Sequence, residues 1–269
     1  MTFGRTLLCV ASAGGLALLV RSLVFGPVPL WVALAALLGY VAVAVAGVLV
    51  PQLEMYANIV WRGDRDCANV ALTFDDGPHP VHTRKVLDML DAAGAAATFF
   101  VLGSKVDAHP DVLREIAARG HDIGVHGYDH DRLMSLRSVS RVEADLRKAM
   151  DSIARETGRP PTLFRPPVGH VSPRTETAAR RLRLTLVAWS VRGRDGLSSA
   201  QPSKVAARIV RGLRRGSIVL LHDAAEQGDR QPAGVSALPR VLDAIMARNL
   251  EVVPVRTMIP TPIEHAPEQ

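Results

Sequence analysis

The sequence predicts an α/β protein: a distorted (β/α)7-type barrel preceded by an N-terminal pair of transmembrane helices. Three observations predict it. Short β-rich apolar runs alternate with amphipathic helical patterns from residue 69 onward. Chemistry-bearing side chains recur just after those runs. Residues 1–53 carry no charge except Arg5 and Arg21. Strand–helix alternation implies a parallel sheet, and strands that are apolar throughout imply burial on both faces.

The N-terminal stretch comes first. Thr6–Val20 is apolar, Arg21 interrupts it, and Ser22–Phe25 continues it. Gly26-Pro27 breaks the chain, and Val28–Val50 is a second apolar run ending at Pro51. A membrane helix needs ~20 such residues, so spans are expected at 6–25 and 28–50, the first with Arg21 snorkelling to the interface. A signal peptide is the rival reading of the first run, and a water-soluble core helix the bland one; the second run would still anchor a processed product. Residues 1–53 are thus read as a membrane anchor and 54–67 as a linker. A hairpin returns the chain to its starting side. Arg5, Arg62 and Arg65 then share a face, and positive charge favours the cytoplasmic one. The expected location is the cell membrane, with the large domain facing the cytoplasm.

Beyond the linker, strand-like runs fall at Val70–Phe74, Thr98–Leu102, Asp122–Val125, Thr162–Phe164, Leu184–Trp189, Ile218–Leu221 and Val252–Val255. Helical patterns lie between them at Val81–Ala93, Pro110–Arg119, Ser138–Glu156, Arg174–Arg183, Lys204–Leu213 and Leu238–Arg248. Pro110 at a first turn and Gly94, Gly120 and Gly158 past helix ends are boundary signals. A full eightfold barrel usually needs ~250 residues, more than this region has, so a short barrel is expected. An open doubly wound sheet is the alternative, weakened by the missing dinucleotide glycine fingerprint after the first strand. The large domain is read as 68–258, and 259–269 as a polar tail.

Composition excludes several function classes. With 48% hydrophobic and 22% charged residues the chain is not a disordered tail. Two cysteines cannot staple a secreted scaffold or build a Cys-ligated zinc module. The net charge is +6, and 28 of the 32 basic residues are Arg. The clusters Arg180, Arg181, Arg183 and Arg211, Arg214, Arg215 read as solvated helix faces. No aromatic platform accompanies them, so no nucleic-acid partner is expected; an anionic substrate or the membrane surface fits better.

In a parallel barrel, functional side chains project from the C-terminal ends of strands. Those ends carry Thr73-Phe74-Asp75-Asp76-Gly77-Pro78, His126-Gly127-Tyr128-Asp129-His130, Arg165-Pro166-Pro167-Val168-Gly169, Trp189 with Asp195 beyond it, and Leu220-Leu221-His222-Asp223. Each alone has a plain structural reading: a capped turn, a solvated pair, a core histidine. Together they change meaning, because a barrel brings strand ends within reach of one another. The HxxxH spacing places two imidazoles one helical turn apart on one face. Asp76, His126 and His130 make a three-ligand site with a position left open, as catalytic zinc requires. Asp75 is the candidate base, oriented by Arg165. His222 is the candidate acid, its tautomer held by Asp195. A divalent metal there favours hydrolysis of an amide or ester. Zn²⁺ is expected, and Co²⁺ or Ni²⁺ also suit two His and one Asp.

These residues resemble the polysaccharide deacetylase family, the carbohydrate esterases of family 4 with a NodB homology domain, from about Ala68 to Val255. TFDDGP (73–78) and RPPxG (165–169) are the most specific strings; HxxxH and LLHD support them by placement. The resemblance implies a distorted barrel and metal-dependent removal of acetyl groups from N-acetylated sugars of a polysaccharide, an oligosaccharide or a lipid-linked glycan. It implies Asp75 as base, Asp76, His126 and His130 as metal ligands, Arg165 orienting Asp75, and His222 as acid. It also implies Pro167, Val168, Trp189 and Leu220 as substrate contacts, with Leu220 lining an acetyl-methyl pocket and the backbone N–H near Val168 stabilising an oxyanion. Three positions depart from the family pattern. Gly127 stands where Ser or Thr is usual, Val168 where Tyr is frequent, and Arg192-Gly193-Arg194-Asp195-Gly196 where the motif usually ends in Asp-Trp. No member of the metal, base and acid set is missing, so an active enzyme is expected; the departures bear on substrate preference. The expected partners are the glycan and the lipid bilayer, with no obligate protein partner. A non-catalytic carbohydrate-binding or scaffold protein on the same barrel and an O-acetyl esterase are the alternatives.

Overall fold

A computed structural model describes residues 1–259 of the chain; the expected polar tail lies outside the described residues past Ile259. The chain opens with α1 (Phe3–Phe25) and α2 (Leu30–Leu49), packed side by side across the Gly26–Pro29 turn. α1 begins earlier than its apolar run because the Thr2 side chain caps it, accepting from the Arg5 N–H at 3.4 Å. Both helices are long and apolar enough to cross a membrane, a property that a signal sequence shares. Their large side chains are mostly exposed, so the barrel does not bury them.

The barrel elements follow as β1 (Asn69–Asp75), α3 (His82–Ala92), β2 (Thr98–Val101), α4 (Gly103–Ala108), α5 (Pro110–Ala118), β3 (Asp122–Val125), α6 (Val139–Thr157) and β4 (Leu163–Phe164). Then come α7 (Pro173–Arg181), β5 (Thr185–Leu186), β6 (Val191–Arg192), α8 (Pro202–Gly212), β7 (Ile218–His222), α9 (Ala233–Met246) and β8 (Glu251–Val252). The sheet order is β5-β4-β3-β2-β1-β7-β6, with β8 pairing the start of β1, and every strand pair is parallel. β5 to β1 run in unbroken sequence order. That progression is how a barrel winds; a doubly wound sheet would reverse at a switch point. The sheet is a curled half-barrel. Within β1, β2 and β3 every residue after Asn69 is buried, as strands covered on both faces require.

Each expected strand is present, and β6 is additional: two residues carry no readable alternation. α4 is also additional, too short at six residues to show a helical period. α9 starts at Ala233, not Leu238, because Pro239 sits inside the helix instead of opening it.

Residues 54–67, expected as a linker, pack onto the barrel. Met55, Ala57 and Ile59 are buried, Val60 bridges Val187 in parallel, and Arg62 bridges Ser217 antiparallel. This segment fills the gap between β5 and β7 that the open sheet leaves. It is locked there by Gly216, whose φ of 74° and close approach to the carbonyls of Gly63 and Asp64 leave no room for a side chain. A Cβ would stand 2.6 Å from the Gly63 oxygen. Gly216→Ala is therefore expected to cost about 1–3 kcal/mol of stability, read as a lower Tm in thermal unfolding of the full chain.

Candidate active site

Register brings the strand ends together. Asp75 is paired with Phe100 on one side and with His222 on the other. Asp76, His126, His130, Val168, Trp189, Leu220 and His222 join Asp75 in lining a cleft of about 500 Å³ at the C-terminal rim.

The side chains of Asp76, His126 and His130 offer one donor atom each, all within 4.8 Å of one another. Asp76 Oδ1 is 3.5 Å from both Nε2 atoms, is buried, and has no hydrogen-bond partner among the described residues. A buried, unpartnered carboxylate oxygen facing two imidazole nitrogens is costly unless something binds it. That donor set fits a divalent metal. His126 Nδ1 lies 2.7 Å from the Arg165 carbonyl; donating there leaves Nε2 free to ligate. Burial pushes the His126 imidazole below its ordinary value, which keeps it in the neutral, ligating form. His130 Nδ1 lies 3.0 Å from Glu226 Oε1, so Glu226 borders the far side of the ring.

The two imidazoles do not sit on a helical turn as the HxxxH spacing suggested. Residues 126–130 form a bend after β3, with Gly127 at φ 92° and His130 at φ 56°. Left-handed backbone at these residues folds His130 back over His126, the rings 5.2 Å apart. Gly127 suits that φ, and an added Cβ would stand 3.2 Å from both Asp145 Oδ2 and the Met134 methyl, so a larger residue there would be strained. The bend is tied down by the Tyr128 N–H donating to Asp145 and by Ser104 donating to the Tyr128 carbonyl. Asp76 is likewise left-handed, at φ 73°. Strained backbone in two of three prospective ligands is the pattern of a positioned site.

Arg165 is fully buried. It donates to Asp75 Oδ1 and Thr73 Oγ1, each at 2.7 Å, and to the Ala188 carbonyl at 3.0 Å, with Phe100 under its guanidinium. Burial pushes its pKa down, and the Asp75 charge opposes that shift. One Asp75 oxygen is thus committed; the other, Oδ2, lies 3.9 Å from His126 Nε2. On the opposite side of the cleft, Asp195 accepts from the His222 backbone N–H at 2.8 Å and contacts His222 Nδ1 at 3.0 Å. Burial opposes charge on the His222 ring, but the Asp195 carboxylate, helped by Asp76 and Asp75, outweighs it and pushes the pKa up to about 10.

Arg165 and Asp195 reach the cleft through Asp75 and His222. Pro167 lies buried behind the rim rather than on it, while Val168, at φ 53° and 41% exposed, faces outward beside Trp189. Two further residues belong to the surroundings. Lys105 donates to the carbonyls of Asp76 and Ala225 at 2.7 and 2.6 Å, and burial lowers its pKa. Its signal was present: one of only four lysines, just past a strand end. Glu226 had none, because nothing in its spacing from His130 announces the contact.

A family model described as polysaccharide deacetylase matches residues 62–187. A peptidoglycan-N-acetylglucosamine deacetylase of Bacillus cereus is 30% identical over 213 residues, covering 77% of this chain and 96% of its own. A chitooligosaccharide deacetylase of Sinorhizobium fredii is 33% identical over 206 residues, covering 73% and 94%. The crystal structure of the Bc1960 peptidoglycan N-acetylglucosamine deacetylase, bound to an N-hydroxybenzamide, superposes with a TM-score of 0.71 at 29% identity, over 78% of this chain and 96% of that one. With the strand order, the rim and these likenesses in agreement, the chain belongs to the polysaccharide deacetylase family of carbohydrate-modifying hydrolases.

Proposed function

We propose that this protein is a membrane-anchored, metal-dependent hydrolase that removes acetyl groups from N-acetylated sugars. One observation carries the reading: the Asp76–His126–His130 donor set shares a cleft with two separately supported proton-transfer groups, Asp75 on Arg165 and His222 on Asp195. The relatives named for peptidoglycan and chitooligosaccharide substrates support an N-acetylated sugar as substrate. The N-hydroxybenzamide of the matching structure belongs to a class of metal chelators, which supports a metal in the site.

Asp76, His126 and His130 would hold the metal, with Zn²⁺ first and Co²⁺ or Ni²⁺ also compatible. A divalent cation supplies Lewis acidity, polarising the acetyl carbonyl and acidifying water. Asp75 Oδ2 takes a proton from the attacking water while Oδ1 stays fixed on Arg165. The protonated His222 gives a proton to the sugar nitrogen as its bond to the acetyl carbon breaks. Water and amide become acetate and a free amine. Leu220, Trp189 and Val168 enclose the acetyl methyl and the sugar face.

Residues 1–53 are the anchor in this reading and 68–258 the hydrolase. Arg5 pairs with Asn58 at the barrel end of the hairpin, and Arg62 and Arg65 lie on that same side, so the catalytic domain faces the cytoplasm. The test is acetate release from N-acetylglucosamine tetramer by the full chain in detergent. Chelation is expected to abolish it and added Zn²⁺ or Co²⁺ to restore it. Unchanged release after chelation overturns the metal role. No release with metal bound overturns the hydrolase and leaves a binding protein.

A further inference from the structure

The two apolar helices end on the wall of the cleft. At their barrel end, Thr2 Oγ1 donates to the Glu54 carbonyl, Arg5 to Asn58 Oδ1 and Tyr56 to the Ala44 carbonyl, at 3.1, 2.7 and 2.9 Å. Gly4 lies against the Leu53 backbone, which leaves no room for a side chain, and Gly47 lies against the side chains of Met55 and Tyr56. Two hydrogen bonds then cross to the barrel. The Val171 N–H donates to the Val48 carbonyl at 3.1 Å, and Gln52 Nε2 donates to the Trp189 carbonyl at 2.9 Å. Trp189, Val168 and Gly169 line the cleft. At ~3.3–3.6 Å per residue, Val168 stands within about 11 Å of Val171 along the chain. The cleft therefore opens beside the last turn of α2, where its apolar run stops. Val168 and Leu197, both lining the cleft, are exposed apolar side chains, as are Leu133 and Leu136 in the segment after His130.

Charge supplies the second observation. Along 191–195 the chain alternates, with Val191, Gly193 and Asp195 buried and Arg192 and Arg194 exposed, both lining the cleft. Arg192 is the register partner of Leu220, and Arg194 adjoins the Asp195 that holds His222. Among the described residues neither guanidinium has a hydrogen-bond or ion-pair partner. Arg132, also at the cleft, is already taken by Glu226. A neutral acetamido sugar offers two guanidinium groups no counter-charge; a phosphate does.

We propose that the preferred substrate is an N-acetylated sugar joined through phosphate to a membrane lipid. Its acetamido group lies at Asp76, His126 and His130, its phosphate on Arg192 and Arg194, and its chain in the bilayer beside α2. This rests on the deacetylase and membrane-anchor readings and names their substrate.

The test uses the full chain in nanodiscs, with three labelled probes retained against empty nanodiscs. They are N-acetylglucosamine 1-phosphate bearing a farnesyl chain, the farnesyl glycoside lacking phosphate, and soluble N-acetylglucosamine 1-phosphate. Acetate release from N-acetylglucosamine tetramer is measured separately, so failure of the hydrolase reading is visible apart from binding. The lipid phosphate is expected to bind more tightly than either other probe by on the order of tenfold or more. The Arg192→Gln/Arg194→Gln variant, checked for an unchanged Tm, is expected to erase that preference. Equal affinity for the phosphorylated and neutral lipids, equal affinity for the soluble sugar phosphate, or a preference that survives in the double variant would overturn the proposal.

Discussion

Asp75→Asn is expected to lower kcat by about 10²–10⁴-fold, the usual contribution of a positioned base, while metal affinity stays near that of the wild type. Asn retains an oxygen that can accept from Arg165 but cannot take a proton from water. The substitution also strips the fully buried Arg165 of its counter-charge. Breaking a buried pair by removing one partner costs about 3–5 kcal/mol; the hydrogen bond that Asn keeps moderates this, so Tm falls without loss of the fold. Metal affinity by chelator competition, read beside kcat, separates the lost base from a collapsed site. Wild-type kcat in a folded, metal-loaded Asp75→Asn protein would remove Asp75 from the mechanism.

Asp195→Asn is expected to move the alkaline limb of the kcat/KM profile to lower pH by more than one unit. His222 must be protonated to act as acid, and its pKa is held up at about 10 chiefly by Asp195 working against burial. A raised folded-state pKa means the fold favours the protonated ring. That contribution to stability is complete below the unfolded value of about 6.5 and is lost as pH rises through about 10. Without the carboxylate, burial dominates and the ring loses its proton earlier. At pH 9 the variant is expected to lose roughly ten- to a hundredfold in kcat/KM, and at pH 6 far less. A bound cation at Asp76 would cancel part of the carboxylate field and lower both limbs together, so the difference between the two proteins is the quantity to measure. A limb unmoved by Asp195→Asn would contradict the pairing.

Much of this was legible in the sequence because the barrel separates its signals. β1, β2, β3 and β7 are buried on both faces, so they read as apolar runs, and a polar residue at their ends has only the rim to occupy. Asp75, Asp76, His126 and His222 stand at such ends; Arg165 follows the two-residue β4, is fully buried, and meets the cleft only through Asp75. Spacing misled at HxxxH: the distance between His126 and His130 is consistent with a helical turn, but Gly127 and a left-handed His130 achieve the same proximity in a bend. Pro167 misled differently, since its place in a recognisable string said nothing about which way it faces. What was not legible is tertiary. The burial of Met55, Ala57 and Ile59 depends on a gap between strands that the sequence does not mark. The contacts of Glu226 with His130, of Gln52 with Trp189 and of Val48 with Val171 join segments that no periodicity relates. Those contacts decide how the two N-terminal helices sit against the wall of the cleft.

In the proposed mechanism one cation at Asp76, His126 and His130 switches this cleft on as a deacetylase. Zn²⁺ is titrated into the chelator-stripped full chain, with bound metal and acetate release from N-acetylglucosamine tetramer followed on the same sample. Release is expected to rise with occupancy, saturate near one ion per chain, and be lost together with tight binding in Asp76→Ala. Acetate release at full rate from the stripped protein, or tight metal binding undiminished in Asp76→Ala, would contradict that mechanism.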